Sequence, residues 1–350
     1  MSLMLEREHV CKPEVRYSPE QIGGRFEGKH IVSMEQFGLE DFRELFETAY
    51  YYKARHRNDD SSLMDVCKNK EMLPLFFEPS SRTDWSFQTA MRAMGGIVTT
   101  PSNGVNFSSW GGKNESLMDT MMAAGCYTDL IVIRHPEVGS SFEAARQMNW
   151  LNQKLDKRTV VISGGDGIGE HPTQGLLDIY TMLEFKGSLE KQNIAFVGDL
   201  HHGRTVHSDA IAIAQIRPAG AKVIMVSPES LRMPSEIVER LRRSGVDTYE
   251  TDDINSVVGL ADVIYWTRVQ GERFENPQDY EKLKGSFVMT PELLARAKND
   301  AILMHPLPRT QNDMRDHEAL DRDPRSVYPQ QMYNGKYVRM ALIAKVLGRA

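Results

Sequence analysis

The chain contains few cysteines and no long hydrophobic run, and each shortage excludes a class of protein. Its 350 residues include three cysteines, Cys11, Cys67 and Cys126, which are far apart and lack metal-ligand spacing. Neither a disulfide framework nor a cysteine-based zinc site is expected, and a reducing cytoplasmic compartment fits best. No apolar run approaches the roughly 18–20 residues of a membrane span. Residues 1–15 are too charged for a secretory signal, so no membrane partner is expected.

Positive charge and nucleotide-binding loops are also scarce. The chain has 42 basic and 48 acidic residues, a net charge of −6, and no block of Lys or Arg, which argues against a nucleic-acid partner. The glycine-rich stretch 164–169 lacks the Gly-x-Gly-x-x-Gly spacing of a dinucleotide loop, and no phosphate-binding Gly-x-x-x-x-Gly-Lys-Ser/Thr loop occurs. His201 and His202 have no carboxylate pair at a spacing suited to a metal. We therefore expect neither a cofactor nor a metal.

Short apolar runs alternate with helical patterns along the chain. A hydrophobic content of 41% in 350 residues is ordinary for a soluble protein and is enough for two domains. Strands are predicted at 73–77, 130–133, 160–162, 194–197, 223–226, 263–266 and 302–304. Helices are predicted at 31–53 and 61–70, after residues 80, 116, 171 and 203, and at 234–243 and 334–350. The alternation predicts an α/β protein with parallel sheets, whose ligands bind at the carboxyl ends of the strands.

The stretch Phe-Phe-Glu-Pro-Ser-Ser-Arg-Thr at 76–83 is the most informative part of the chain. An apolar strand stops there and an amphipathic helix begins, so a helix N-terminus coincides with two hydroxyls and a guanidinium. Free N–H groups, the helix dipole and these donors suit phosphate oxygens. The alternative is that Ser80 is an ordinary N-cap.

Arginines recur where the predicted strands end. Arg82, Arg134, Arg204 and Arg268 each follow or close an apolar run, His305 follows another, and His171 begins a helix. Any one arginine alone is most simply a surface or salt-bridge residue. Together, in an acidic protein, they predict a concave site for a ligand with several negative charges.

Six motifs, in this order, resemble the aspartate/ornithine carbamoyltransferase superfamily, and its aspartate branch in particular. They lie at 76–83, 134–136 (Arg-His-Pro), 171–174 (His-Pro-Thr-Gln), 197–208, 267–273 (Thr-Arg-Val-Gln-x-Glu-Arg) and 305–309 (His-Pro-Leu-Pro-Arg). The resemblance runs from about residue 30 to the end. It implies two doubly wound domains, each with a central parallel sheet, joined by interdomain helices. Residues 1–171 would bind carbamoyl phosphate, completed by helix 334–350, and residues 172–333 would bind L-aspartate.

The resemblance also implies residue roles. The carbamoyl-phosphate site would comprise Ser80, Ser81, Arg82, Thr83, Arg134, His171, Gln174, Pro306 and Leu307. The aspartate site would comprise Lys113, Arg204, Arg268 and Gln270. Arg82, Thr83, Lys113, Arg134 and His171 would be catalytic. Lys113, with Ser109 on the same loop, would act in a neighbouring subunit, which implies a homotrimer with shared sites. Glu78 would pair with an interdomain arginine.

The implied reaction transfers the carbamoyl group to the α-amine of L-aspartate, an early step of pyrimidine biosynthesis. Three positions depart from the family pattern: Ser81 replaces Thr, Asp84 replaces Arg, and Gly112 replaces Lys. Ornithine is a poor second candidate, because that branch has a Cys in the segment that reads His-Pro-Leu-Pro here. A carbamoyltransferase for another acceptor, and a silent homologue with a structural or regulatory role, remain alternatives. Regulatory chains or other pathway enzymes are possible partners.

Overall fold

Two parallel sheets, one after the other along the chain, form the centre of the protein. The computed structural model describes residues 17–101, 109, 113–274 and 276–350. The first sheet has the strand order β2-β1-β3-β4. Its strands are β1 (Glu71–Phe76), β2 (Ile97–Val98), β3 (Leu130–His135) and β4 (Val160–Asp166). Both β3 and β4 are buried along their whole length, and each begins with a continuous apolar run, residues 130–133 and 160–162.

The second sheet has the strand order β7-β6-β5-β8-β9, and all its pairs are parallel. Its strands are β5 (Asn193–Val197), β6 (Lys222–Val226), β7 (Asp247–Thr251), β8 (Val263–Trp266) and β9 (Ile302–Met304). The strand order reverses beside β5, which is the kind of position where open α/β sheets bind ligands.

Helices connect successive strands and cover the sheets. In chain order they are α1 (Leu39–Arg57), α2 (Ser81–Ala93), α3 (Leu117–Tyr127), α4 (Ser140–Leu155), α5 (Pro172–Lys186), α6 (Arg204–Ile216), α7 (Ser235–Arg243), α8 (Pro277–Leu283), α9 (Pro291–Leu294), α10 (His317–Arg322) and α11 (Tyr328–Val346). Short 3-10 turns lie at Met34–Gln36, Ser61–Asp65, Glu229–Leu231, Ile254–Ser256 and Gly271–Arg273. Among the described residues, no helix is both long enough and apolar enough to cross a bilayer.

The α/β prediction is confirmed, but several elements, among them β2, β7 and α4, were not predicted, and others differ at their ends. The terminal helix, predicted at 334–350, spans Tyr328–Val346, because Pro329 is tolerated in a first turn and Gly348 adopts a positive φ of 65°. The helix predicted from residue 31 begins at Leu39, since Ile31 forms a parallel bridge with Ile162. The helix predicted at 61–70 is a 3-10 turn over Ser61–Asp65.

One apolar core passes from the first sheet to the second. It includes residues of both sheets together with α5 and α11, and α11 packs on α1, α2 and α5. The helix α5 lies between the two sheets along the chain. The carboxyl ends of the strands are thereby held against one another by buried apolar contact, which fixes the geometry of whatever lies between them.

Candidate active site

The predicted phosphate-binding turn lies where β1 gives way to α2. Ser80 is the N-cap of α2, but its side chain makes no capping hydrogen bond. The alternative of an ordinary Ser cap is therefore not realised, and the hydroxyl lines the cavity described below. Because the first-turn N–H groups of a helix have no intrahelical partner, this turn offers donors to an anion.

A cavity of about 740 Å³ collects the carboxyl ends of strands from both sheets. Its described lining includes every predicted site residue except Lys113: Ser80, Ser81, Arg82, Thr83, Arg134, His171, Gln174, Arg204, Arg268, Gln270, Pro306 and Leu307. Lys113 and Ser109 are exposed. The rest of that loop, including Gly112, falls outside the described residues, so the role of Lys113 stays a prediction.

Glu78 joins the two halves of the cavity. Its Oε2 lies 3.0 Å from an Nη2 of Arg134 and 3.1 Å from Nη1 of Arg204, and its Oε1 lies 2.8 Å from Nη2 of Arg273. Arg134 belongs to the first sheet, whereas Arg204 and Arg273 follow strands of the second. The predicted pairing of Glu78 with an interdomain arginine is therefore present. Burial raises the pKa of Glu78, but the three guanidinium groups outweigh it and leave this pKa below its usual value.

Arg134 is the most buried of the strand-end arginines, with 8% of its side chain exposed. Its Nη1 donates to the carbonyl oxygen of Gly164 at 3.3 Å, which fixes the plane of the guanidinium. Burial, together with the charges of Arg204 and Arg273, lowers the pKa of Arg134 to about 9, against the opposing effect of Glu78. The group remains a cation at neutral pH, and the loss of solvent makes it a strong partner for an oxyanion.

His171 is a neutral donor or acceptor beside this cation. Burial and the charges of Arg134, Arg204 and Arg339 hold the pKa of His171 well below its usual value. Its Nε2 lies 3.3 Å from Oγ1 of Thr83, and Nδ1 has no hydrogen-bond partner among the described residues. Its backbone N–H donates to Oγ of Ser208 at 2.9 Å, so the start of α5 is tied to α6.

The second sheet contributes Arg268 and Gln270 from the segment that follows β8. The backbone N–H of Gln270 donates to Oδ2 of buried Asp199 at 3.2 Å, and its side-chain Nε2 donates to the carbonyl oxygen of His202 at 3.0 Å. Burial and the charge of Arg268 lower the pKa of Arg82, so cations from the two sheets act on each other across the cavity. Such like charges favour a bound anion between them.

The segment after β9, residues 305–307, forms another wall of the cavity. His305 accepts the Leu307 N–H at Nδ1 (2.8 Å), so its Nε2 carries the proton and contacts Oδ2 of Asp313 at 2.8 Å. Leu307 has a positive φ of 60°, a conformation that a branched residue rarely adopts. Strained backbone of this kind is typical of functional sites.

Asp84 does not disturb the phosphate turn. Its Oδ1 accepts a hydrogen bond from Nε2 of Gln88 at 2.7 Å, one helical turn along α2. The described lining of the cavity does not include Asp84. The substitution of Asp for Arg therefore removes a positive charge near the site without placing a carboxylate in it.

The sequence argument expected the terminal helix to complete the first half of the protein, but it assigned no site role to any residue of α11 or to Arg273. Arg339 is buried, its Nη2 lies 3.3 Å from Oγ1 of Thr173, and its guanidinium stacks over the ring of Phe87 at 5.0 Å. Its signal was an arginine inside an apolar helical run, 337–346. Lining residues to which the sequence argument gave no role include Trp85, Arg273, Gln331, Tyr333, Lys336 and Arg339. Among the described lining residues, Glu78 is the one carboxylate and six are arginines, so the cavity suits a polyanion.

Two family models match successive parts of the chain. Residues 29–184 match the family model for the aspartate/ornithine carbamoyltransferase carbamoyl-P binding domain. Residues 190–346 match the model for the Asp/Orn binding domain of the same family.

Individual relatives cover most of the chain. It is 41% identical over 324 residues to an aspartate carbamoyltransferase catalytic subunit of Methanocella arvoryzae, covering 92% of this chain and 98% of that protein. It is 42% identical over 321 residues to the multifunctional protein pyr1-3 of Dictyostelium discoideum; these are 92% of this chain but only 14% of that much longer protein.

A solved structure is similar as well. Aspartate transcarbamoylase from Trypanosoma cruzi in complex with carbamoyl aspartate and phosphate has a TM-score of 0.83 and 33% identity, covering 92% of this chain and 97% of that one. With both domain models matched in order and the strand-end residues in one cavity, the chain belongs to the aspartate/ornithine carbamoyltransferase family.

Proposed function

We propose that the protein is an aspartate carbamoyltransferase, which transfers the carbamoyl group of carbamoyl phosphate to the α-amine of L-aspartate. The observation that carries the proposal is the single cavity in which the phosphate turn of the first sheet faces Arg204 and Arg268 of the second. Carbamoyl phosphate is a dianion near neutral pH and aspartate carries two carboxylates, and both match a cavity of this charge. The reaction gives N-carbamoyl-L-aspartate and phosphate, an early step of pyrimidine biosynthesis.

The first requirement of the reaction is polarisation of the carbonyl group. When the amine attacks the carbonyl carbon, the carbonyl oxygen becomes an oxyanion, and donors already aimed at it lower the barrier. Arg134, Thr83 and His171 supply these donors. His171 acts as a neutral imidazole, because its pKa lies well below 6.5. The donating nitrogen is then Nδ1 or Nε2 according to the tautomer.

The second requirement is stabilisation of the leaving phosphate. Ser80, Ser81 and the free N–H groups of the first turn of α2 surround it, and Arg82 supplies a bidentate cation. Lys113 of a neighbouring subunit adds a further charge in this proposal. Negative charge moves from the bridging oxygen to the phosphate as the C–O bond breaks, so each of these donors acts most strongly late in the reaction.

The third requirement is orientation of the acceptor. Arg204 and Arg268 hold the two carboxylates of aspartate, and Gln270 fixes the side-chain end. Nη1 of Arg204 is positioned by Glu78 and by the carbonyl oxygen of Gly167 at 2.7 Å. Holding two reactants in line can lower the activation barrier by about 7–11 kcal/mol. A phosphate oxygen of the substrate is well placed to take the proton from the amine.

The assembly and compartment are part of the same proposal. Residues 1–171, with the helix that ends the chain, bind carbamoyl phosphate, and residues 172–333 bind aspartate. The protein acts in the cytoplasm as a homotrimer, whose sites are shared because exposed Lys113 reaches a neighbouring cavity. A cyclic trimer closes such sharing head to tail, with each subunit lending one loop to the next.

The proposal is tested by measuring product from carbamoyl phosphate with L-aspartate and, separately, with L-ornithine. We expect carbamoyl aspartate and no citrulline, and a loss of roughly 100-fold or more in kcat/KM for aspartate in Arg268→Ala, because a clamp on a carboxylate is removed. Arg146→Ala is the matched control, since Arg146 makes an exposed pair with Glu143 one helical turn away. Absence of product with either amine from folded protein would refute the proposal and favour another acceptor or a silent homologue.

A further inference from the structure

Two aspartates are buried beneath the cavity, and the proposed reaction uses neither of them. Asp178 lies on α5 and Asp209 on α6, and both are fully buried. The two helices pack directly against each other. Because an ionised carboxylate in the protein interior is costly unless donors surround it, the environment of each aspartate indicates its charge.

Asp178 is surrounded by donors from three different elements. Its Oδ2 accepts the hydroxyl of Tyr265 at 2.7 Å, and its Oδ1 accepts Nε2 of Gln331 at 2.6 Å. The side-chain Nε2 of Gln174 donates to both oxygens, at 3.0 and 3.1 Å. Burial raises the pKa of Asp178 to about 7, and the three donors together with the charge of Arg339 oppose that rise. Because Gln174 and Gln331 both direct amide N–H groups at it, the geometry favours the carboxylate form of Asp178.

Asp209 has the opposite environment. Neither of its carboxyl oxygens has a hydrogen-bond partner within the part of the chain that the structure describes. Burial and the negative charge of Asp178 both raise the pKa of Asp209 well above its usual value. Two neighbouring buried carboxyls cannot both ionise at low cost, so the proton resides on the one without donors. Asp209 is therefore the neutral acid of the pair.

The charge on Asp178 determines which end of Gln174 faces the cavity. An amide side chain has a donor end and an acceptor end, and Asp178 engages the donor end of Gln174. The acceptor Oε1 is then left for a ligand, and Gln174 lines the cavity. Asp178 also engages the donor end of Gln331, whose Oε1 accepts the backbone N–H of His305 at 3.0 Å. One carboxylate thus fixes both Gln174 and the start of the 305–307 wall.

We propose that the carboxylate of Asp178, next to a neutral Asp209, is a positioning residue that makes the cavity select a ligand bearing an NH2 group beside its carbonyl. This inference rests on the proposed function. With Gln174 Oε1 facing inward, the site accepts a hydrogen bond from a carbamoyl NH2. A methyl group in the same place, as in an acetyl phosphate, leaves that acceptor unsatisfied.

Two isosteric variants separate the roles of the aspartates. Asp178→Asn replaces an acceptor with an NH2 group, which opposes the donors of Gln174 and Gln331. Asp209→Asn replaces a neutral acid with a neutral amide. Calorimetric titration of each protein with carbamoyl phosphate, acetyl phosphate and inorganic phosphate, without aspartate, measures the selectivity directly.

The affinity of Asp178→Asn for carbamoyl phosphate should fall about 10- to 100-fold, with acetyl phosphate and phosphate changing less than about threefold. Asp209→Asn should stay within about threefold of the wild type for all three ligands. Thermal unfolding without ligand should follow the same order, with the lower midpoint in Asp178→Asn. If that variant does not fold, Tyr265→Phe, which removes one donor from Asp178, should give a smaller loss confined to carbamoyl phosphate.

Three results would overturn the inference. Equal losses for carbamoyl and acetyl phosphate would show that Asp178 only supports the fold. A large loss in Asp209→Asn with none in Asp178→Asn would place the charge on the other carboxyl. A wild type that binds phosphate but does not distinguish carbamoyl from acetyl phosphate would remove the selectivity itself. A wild type that binds none of the three ligands would instead refute the proposed function, on which the inference depends.

Discussion

Replacing Glu78 with glutamine should uncouple the half of the cavity that we propose binds aspartate from the half that we propose binds phosphate. Glu78 is 23% exposed at its side chain, and its partners Arg134, Arg204 and Arg273 are 8%, 13% and 17% exposed. These pairs are sheltered enough that solvent screens them only in part. The variant keeps the size of the side chain and one acceptor oxygen, but it leaves three guanidinium groups without their counter-charge.

The magnitude follows from the burial of the pairs. Removing one partner of a fully buried ion pair costs about 3–5 kcal/mol. Because Glu78 is partly exposed and glutamine retains an acceptor, we expect about 2–3 kcal/mol. In kcat/KM for aspartate this is a loss of roughly 30- to 150-fold. Affinity for carbamoyl phosphate should fall less, because Arg134 loses its counter-charge but keeps its hydrogen bond to Gly164, and the turn 80–83 makes none of these pairs.

Steady-state kinetics with varied aspartate, and titration with carbamoyl phosphate alone, measure the two quantities. Glu143→Gln is the matched control, because its pair with Arg146 is about half exposed and should contribute little. A double-mutant cycle with Arg273→Gln should give a coupling of about 1–3 kcal/mol. The reasoning fails if Glu78→Gln leaves kcat/KM for aspartate within threefold of the wild type, or if the coupling with Arg273 is below about 0.5 kcal/mol.

Three further predictions concern pH and assembly. The folded pKa of Glu78 lies below its unfolded value, which is about 4.3 for an ordinary glutamate. The ionised Glu78 therefore stabilises the fold above that pH, and the stabilisation is lost as the pH falls through the folded pKa. The difference in unfolding midpoint between wild type and Glu78→Gln should shrink over the same pH range. His171 also has a lowered folded pKa, so the wild type should lose stability below about pH 6.5, and His171→Asn should lose less. Protonation of His171 should not cause a fall in the kcat of the wild type near pH 6.5. If kcat falls there in the wild type but not in His171→Asn, the neutral role of His171 is contradicted. Lys113→Ala and His171→Ala proteins, each inactive, should regain activity when mixed under conditions of subunit exchange, and no recovery in verified mixed trimers would contradict shared sites.

Much of the site could be predicted from the sequence because its residues sit at fixed places in local structure. Ser80 and Arg82 follow a strand and begin a helix, and the spacing of apolar residues predicts this order of strand, turn and helix. Other site residues also lie at the carboxyl end of a strand or at the start of a helix: Arg134, His171, Arg204 and Arg268. Parallel strands align their carboxyl ends, so a one-dimensional pattern already implies a common edge. The short edge strands Ile97–Val98 and Asp247–Thr251 were missed because neither is a buried apolar run.

The class of fold, the strand, turn and helix around 76–83, and the family could be read from the sequence alone, since these depend on periodicity and on motifs within a few residues of one another. Only the tertiary structure decided the partners of side chains that are distant along the chain. Glu78 meets Arg273 from 195 positions away, and Asp178 meets Gln331 from 153 positions away. The distribution of charge between Asp178 and Asp209 was likewise beyond the sequence. It depends on which carboxyl is surrounded by donors. Because both groups are buried, ionising the carboxyl without donors costs much more free energy than ionising the other.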